Sequence, residues 1–162
     1  MRKGYSLIEV LVSVAILTIL AIAVYDVLLV GQDTFYAGIG KVDLQAQVRL
    51  SFTWITRELR EAGSFNITAL SATDDRLSLD TPNEIGILYY RDITDANGDG
   101  LTTQVIREYP SGTRRVVANS ITSLTFTPSG GNTVTVSANA EKSSGTDTLY
   151  YNMTTKVEAR NG

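Results

Sequence analysis

The feature that most constrains this chain is an apolar run from residue 10 to residue 30. Only three of its 21 positions are not hydrophobic: Ser13, Thr18 and Asp26. As an α-helix, the run would be about 31 Å long, close to the thickness of a bilayer's hydrocarbon core. Arg2 and Lys3 precede it. The positive-inside rule therefore keeps the N-terminus in the cytoplasm and predicts that the residues after 30 are extracytoplasmic.

Composition excludes several classes of function. The 162 residues include no Cys and no His, which excludes disulfides, thiolate and imidazole metal sites, and histidine-based acid or base catalysis. The lysines and serines show no recognisable nucleophile–base spacing, so we predict that the chain is not an enzyme. The 14 Lys and Arg against 17 Asp and Glu give a net charge of −3, which argues against nucleic-acid binding.

Glu9 is the unusual residue of the N-terminal segment. A secretory signal peptide, with a cleavage site at residues 21–23, or a plain membrane anchor would both explain the apolar run, but neither has a use for a carboxylate there. Ser6 and Glu9 also fit the S-x-x-E capping box, in which Glu9 reaches back to the Ser6 backbone amide. A cap and an intramembrane contact both remain open as roles for Glu9.

Residues 4–10, Gly-Tyr-Ser-Leu-Ile-Glu-Val, resemble the processing signal of type IV prepilins and type II secretion pseudopilins. The short basic leader and the following apolar helix fit the same family. The resemblance implies that a membrane peptidase cuts after Gly4 and methylates the new N-terminal residue, Tyr5, which replaces the commoner Phe. It also implies that Glu9 of one subunit pairs with the N-terminal amine of its neighbour during assembly.

The same resemblance implies partners and a location. The expected partners are the prepilin peptidase, other major and minor pilins or pseudopilins, and the inner-membrane platform of the assembly machine. Before assembly the chain would cross the inner membrane once, with its C-terminal domain extracytoplasmic. It would then enter a pilus or a periplasmic pseudopilus.

Apolar residues continue at helical spacing beyond the membrane segment: Leu44, Val48, Phe52, Ile55, Leu59 and Ala62. The segment from Arg57 to Glu61 is interpreted as a solvated face of this helix. One helix from Ser6 to Ala62 is therefore predicted, and Gly31, Gly38 and Gly40 are candidate positions for local unwinding.

Eight short β-prone runs follow Gly63: residues 65–70, 76–79, 85–92, 102–109, 114–118, 121–127, 133–138 and 148–159. We predict an α+β, type IV pilin-like fold, with the long N-terminal helix packed on a mainly antiparallel sheet. The predicted parts are a leader (1–4), a transmembrane or filament-core helix (5–30), its amphipathic half (31–63) and an extracytoplasmic β-rich domain (64–162).

Residues 95–100, Asp-Ala-Asn-Gly-Asp-Gly, place oxygen-bearing side chains at alternate positions before glycines. Asp95, Asn97 and Asp99 are therefore candidate calcium ligands, although the twelfth position of an EF-hand-type loop is Ile106. The alternative is a hairpin turn, which Asn-Gly and Asp-Gly dipeptides favour. No other cofactor is expected.

Two further stretches, residues 55–63 and 156–161, resemble PilW-like minor pilins and the J-type minor pseudopilins of type II secretion. The leading prediction is a minor pilin that primes assembly of a type IV pilus and sits near the fibre tip. The alternatives are a type II secretion minor pseudopilin and a membrane-anchored extracytoplasmic binding module.

Overall fold

The first element is a single long helix. The computed structural model describes residues 6–144 and 147–160, and α1 spans Leu7–Glu61. The expected continuous helix is confirmed. It passes without interruption through Gly31, Gly38 and Gly40, so the structure has no unwinding at these positions.

The chain divides into two compact units, Met1–Ile39 and Gly40–Gly162. In the described part of the first unit, every residue from 6 to 36 is exposed. The most apolar 18-residue window of α1 has a mean hydropathy of 2.8, and none of it is buried. Helices of such length and composition can cross a bilayer. Three boundaries stay predictions: the end of the leader at residue 4, the end of the transmembrane half at residue 30 and the end of the amphipathic half at residue 63.

The second unit contains the hydrophobic core. Its part of α1 buries one stripe: Gly40, Leu44, Val48, Ser51, Phe52, Ile55, Glu58 and Leu59. The periodicity seen in the sequence is thus the buried face of the helix. Side chains from the strands complete the core, among them Leu77, Tyr89, Leu124 and Val136.

Eight strands follow the helix: β1 Ser64–Ala69, β2 Asp75–Asp80, β3 Ile87–Asp92, β4 Gln104–Glu108, β5 Arg114–Ala118, β6 Ile121–Pro128, β7 Thr133–Ser144 and β8 Asp147–Glu158. Each corresponds to one predicted run. The largest difference is β7, which continues six residues past the predicted end at 138. Six residue pairs with β8, from Asn139 with Asn152 to Ser144 with Asp147, hold this extension in the sheet, although most of its residues have low β-propensity.

The strands form two antiparallel sheets rather than the single sheet expected. The first is a meander in the order β1-β2-β3-β4-β5, and the second has the order β6-β7-β8. The chain leaves the first sheet at Ser120, whose φ of 62° lies in the left-handed region. An isolated parallel bridge between Asp74 and Leu124 links the two sheets.

Candidate functional site

The N-terminus of α1 is closed by a reciprocal capping box. The Ser6 backbone amide donates to Glu9 Oε2 over 2.9 Å, and the Glu9 amide donates to Ser6 Oγ over 3.3 Å. The local role predicted for Glu9 is therefore present. Because only Oε2 takes part, Oε1 has no hydrogen bond among the described residues and is available to a second donor.

The two predicted processing residues, Gly4 and Tyr5, lie outside the described residues. Their roles rest on the sequence. The position of Glu9 is informative all the same, since its carboxylate lies in the first turn of the apolar helix and is exposed. When the first turn of this apolar helix lies in lipid or in a helix bundle, its carboxylate needs a hydrogen-bond or charge partner.

The candidate calcium loop connects β3 and β4, and it is held by its own hydrogen bonds. Asp95 Oδ1 accepts from the amides of Gly98 and Asp99, and Asp95 Oδ2 accepts from the amide of Gly100. Asp99 accepts from Asn97 Nδ2 over 2.8 Å and from the Leu101 amide over 2.9 Å. These bonds lower the pKa of Asp99, with the Asn97 amide as the largest cause.

The rest of the molecule also holds this loop. Gln104 is fully buried, accepts from the Ala96 amide over 2.8 Å and donates to Asn97 Oδ1 over 2.9 Å. Asn119 donates to Asp99, and its own backbone amide donates to Gln47 of α1 over 2.9 Å. The loop is therefore a chain connection of 11 residues, 93–103, with internal donors for its carboxylates.

No group of three Asp, Glu, His or Cys side chains within the described residues is placed to hold a metal ion. Asp95, Asn97 and Asp99 do lie together, and their oxygens are of the type that calcium prefers. The calcium site stays a prediction, and binding there would have to replace the amide donors now facing Asp99.

A buried charged cluster under α1 was missed by the sequence reasoning. Glu58 is only 5% exposed, accepts from the Tyr89 hydroxyl over 2.8 Å and pairs with Arg107 Nε over 2.9 Å. Arg107 also pairs with Glu84. Burial, together with the Glu58 carboxylate, raises the pKa of Tyr89 well above its usual value.

The solvated-face interpretation is therefore wrong for Glu58. The residue lies three positions after Ile55, which puts it on the buried stripe of the helix rather than opposite it. The spacing of Glu58 after Ile55 was the sequence signal for its burial. It was missed because charged residues are rarely fully buried and are ordinarily taken to be exposed. Arg57 fits the interpretation better, because its side chain is 57% exposed.

A second buried ion pair fixes the link between the sheets. The carboxylate of Asp74 receives both Nε and Nη2 of Arg91 and also accepts from the Leu124 amide over 3.3 Å. Burial alone would raise the pKa of Asp74, but the hydrogen bonds and charge of Arg91, together with the hydrogen bonds of Thr73 and Ser71, outweigh burial and lower it.

Residues 1–25 match the family model of the prokaryotic N-terminal methylation motif. No curated protein and no solved structure matches the chain. The motif belongs to structural subunits rather than enzymes, and it implies contacts with other pilins and with the prepilin peptidase.

The motif and the apolar helix occur in the order of a single-pass inner-membrane anchor followed by a soluble domain. The long helix that contains the apolar segment packs on antiparallel sheets, which is the α+β arrangement expected of a type IV pilin-like fold. The methylation motif at residues 1–25, together with this arrangement, supports placing the chain in the type IV pilin and pseudopilin family.

Proposed function

We propose that this chain is a minor pilin that helps to prime assembly of a type IV pilus and sits near the fibre tip. In this role it is a structural subunit with no catalytic activity. Its partners are the major pilin, other minor pilins and the inner-membrane platform of the assembly machine. Processing by cleavage after Gly4 and methylation of Tyr5 precedes assembly.

The observation that carries the minor-pilin role is a contact between two distant stretches. Residues 55–63 and 156–161 are those that resemble PilW-like minor pilins, and about a hundred residues separate them in the sequence. In the second unit, the Arg160 amide donates to the Arg60 carbonyl over 3.2 Å. Ala62 and Ala159, beside this bond, are both buried. The resemblance thus covers one continuous structural region at the end of the helix.

The mature N-terminus provides the first test of the proposal. Mass spectrometry of the chain purified from membranes should find a methylated Tyr5 and no residue before it. A chain that begins at Val24 would indicate secretion after signal-peptide cleavage, and an intact Met1 would indicate a plain anchor. Gly4→Val should leave the leader attached, because a peptidase that reads glycine at the cleavage point has no room for a branched side chain.

The minor-pilin role itself is tested by deleting the gene. We expect far fewer pili on the deletion strain at unchanged levels of major pilin in the membrane, with recovery on complementation. Gold labelling of complemented pili should be confined to fibre ends. Normal piliation with a loss of protein secretion would instead support the type II secretion pseudopilin, and loss of neither would support a binding module.

A further inference from the structure

Asp26 is the one polar residue of the apolar run with no partner in the part of the chain that the structure describes. Ser13 Oγ donates to the Glu9 carbonyl over 2.7 Å, and Thr18 Oγ1 donates to the Val14 carbonyl over 2.8 Å. Both hydroxyls are therefore satisfied inside the helix. The Asp26 carboxylate makes no hydrogen bond or ion pair among the described residues.

The spacing of the two carboxylates places Asp26 inside the membrane. Asp26 lies 17 positions after Glu9, which corresponds to about 25.5 Å of helix. A hydrocarbon core is about 30 Å thick. With Glu9 at the cytoplasmic boundary, Asp26 lies about 4.5 Å, or three residues, below the outer boundary.

The residues after Asp26 agree with this depth. Residues 27–30, Val-Leu-Leu-Val, are apolar and between 42% and 71% exposed, so they need lipid or other helices around them. Phe35 and Tyr36 follow, exposed and edge to face with ring centroids 6.1 Å apart. Tyrosine in particular is enriched at membrane–water interfaces. Thinning the bilayer to free Asp26 would leave residues 27–30 in water.

An intramembrane carboxylate is costly unless a cation or donor meets it. This chain has no such cation nearby, because the closest Lys or Arg in the sequence is Lys41, 15 positions later and about four helical turns away. Asp26 also lies just past the matched methylation motif, which ends at residue 25. Its partner has to come from another molecule.

We propose that Asp26 is a second assembly contact, met by a Lys or Arg at the outer end of the membrane segment of a neighbouring pilin subunit. The long side chain of such a residue can reach a carboxylate just below the boundary while its stem stays in the apolar layer. The inference rests on the proposed assembly with other pilins. It adds a charge contact near the outer leaflet to the one that the family resemblance implies for Glu9.

The first experiment compares Asp26→Asn and Asp26→Leu with Asp33→Asn in the full chain in its native host. Asp33 lies seven residues later on nearly the same side of the helix, is exposed, and falls outside the apolar run. We expect insertion and processing of all three to be normal, because both replacements at 26 suit a membrane helix. The amount of subunit recovered with sheared pili should fall about tenfold for both variants at 26, or about 1.4 kcal/mol, and stay unchanged for Asp33→Asn.

The second experiment identifies the partner. A photo-crosslinking phenylalanine analogue at position 30, about one helical turn after Asp26 on nearly the same side of the helix, keeps the carboxylate and should link to a pilin peptide that contains a Lys or Arg at the outer end of its membrane segment. Exchanging the charges, with Asp26→Lys here and the partner's cation replaced by Asp, should restore incorporation that either change alone abolishes. Crosslinks only to lipid would overturn the proposal.

Wild-type incorporation of Asp26→Leu would also overturn the proposal. It would mean that the Asp26 carboxylate of the unmutated chain meets only water or headgroups. This failure is distinct from failure of the proposed function. If deletion of the gene removes pili while Asp26→Leu assembles normally, only the Asp26 contact is wrong. If deletion leaves piliation intact, the minor-pilin role is wrong.

Discussion

At the scale of single residues, Glu9 combines a local task with the assembly contact expected of it. Oε2 closes the capping box with Ser6, while Oε1 has no partner among the described residues. A cap needs only an acceptor, whereas pairing with a neighbour's amine needs a negative charge. The capping box accepts Glu or Gln at this position, so Gln satisfies the first requirement. Gln carries no charge and therefore fails the second.

Glu9→Gln and Glu9→Ala therefore separate the two tasks. We expect both variants to be cleaved normally and both to be poorly incorporated into pili, since each lacks the charge. Helicity of the first turn should be kept in the Gln variant and weakened in the Ala variant. Quantification of the subunit in sheared pili checks this, and wild-type incorporation of Glu9→Gln would reduce Glu9 to a cap.

The loop from Asp95 to Gly100 shows where residue-scale sequence reasoning goes astray. Crowded acids on one turn suggest mutual repulsion without a cation. In the structure, backbone amides and the Asn97 side chain donate to these acids instead. Asp95 in particular acts as the acceptor that shapes the turn.

A calcium titration tests the predicted site. Calcium at millimolar concentration should raise the Tm of the fragment that starts at residue 31, in the weak-affinity class of extracellular modules at about 10⁻⁴ to 10⁻³ M. Asp99→Ala should abolish the increase. Asp95→Ala should lower the Tm even in chelator, because three backbone amides lose their acceptor. Equal midpoints for the unmutated fragment in calcium and in chelator would leave only a turn.

At the scale of elements, the second half of α1 is positioned by polar as well as apolar contacts. Glu58 joins the helix to β3 through Tyr89 and to β4 through Arg107. A buried ion pair of this kind contributes little net stability compared with an apolar replacement, but the loss of one partner leaves the other charge uncompensated. The cluster therefore fixes how the helix registers against the first sheet.

Glu58→Ala should destabilise the fragment by about 3 kcal/mol, because Arg107 loses one of its two carboxylate partners and Tyr89 loses its acceptor. Urea unfolding followed by far-UV circular dichroism measures the change. Glu61→Ala, exposed and three positions later in the same helix, is the matched control and should change stability by less than about 0.5 kcal/mol. Equal effects of the two substitutions would contradict a special role for Glu58.

The elements themselves were largely predictable, because periodicity reports burial directly. The apolar stripe from Leu44 to Ala62 is buried, and each β-prone run became a strand. The division into two sheets was not predictable. It depends on a left-handed turn at Ser120 and on the pairing of Asp74 with Arg91, neither of which has a local sequence signature. Glu58 was missed for a related reason, since its partners lie 31 and 49 residues away.

At the scale of the whole molecule, the two units differ in where their apolar surface is satisfied. The second unit buries its own core, whereas the described part of the first unit exposes nearly all of its apolar side chains. The first therefore depends on lipid or on neighbouring helices, and the second can be stable in water. This division suits a subunit that moves from a membrane into a filament without unfolding its soluble domain.

The second unit is also expected to lose stability in acid, and the direction follows from its carboxylates. The pKa values of Asp74, Asp92 and Glu108 are lowered in the folded state, for Asp74 because Arg91 and the hydroxyls of Thr73 and Ser71 together outweigh the effect of burial. A lowered folded-state pKa contributes stability that is present above the unfolded-state value, near pH 4, and is lost as the pH falls through the folded-state value.

The fragment that starts at residue 31 should therefore show a nearly constant Tm between pH 5 and pH 7, as ordinary carboxyl pKa values near 4 imply, and a falling Tm below about pH 4. Asp74→Asn should start from a lower Tm at neutral pH, since Arg91 is left without its charge partner, and should fall less steeply in acid because one linked proton is gone. Thermal unfolding across this pH range measures both slopes. Parallel slopes for the two proteins would mean that Asp74 does not carry the acid sensitivity, and the bridge between the two sheets would then depend on its backbone contacts and apolar packing alone.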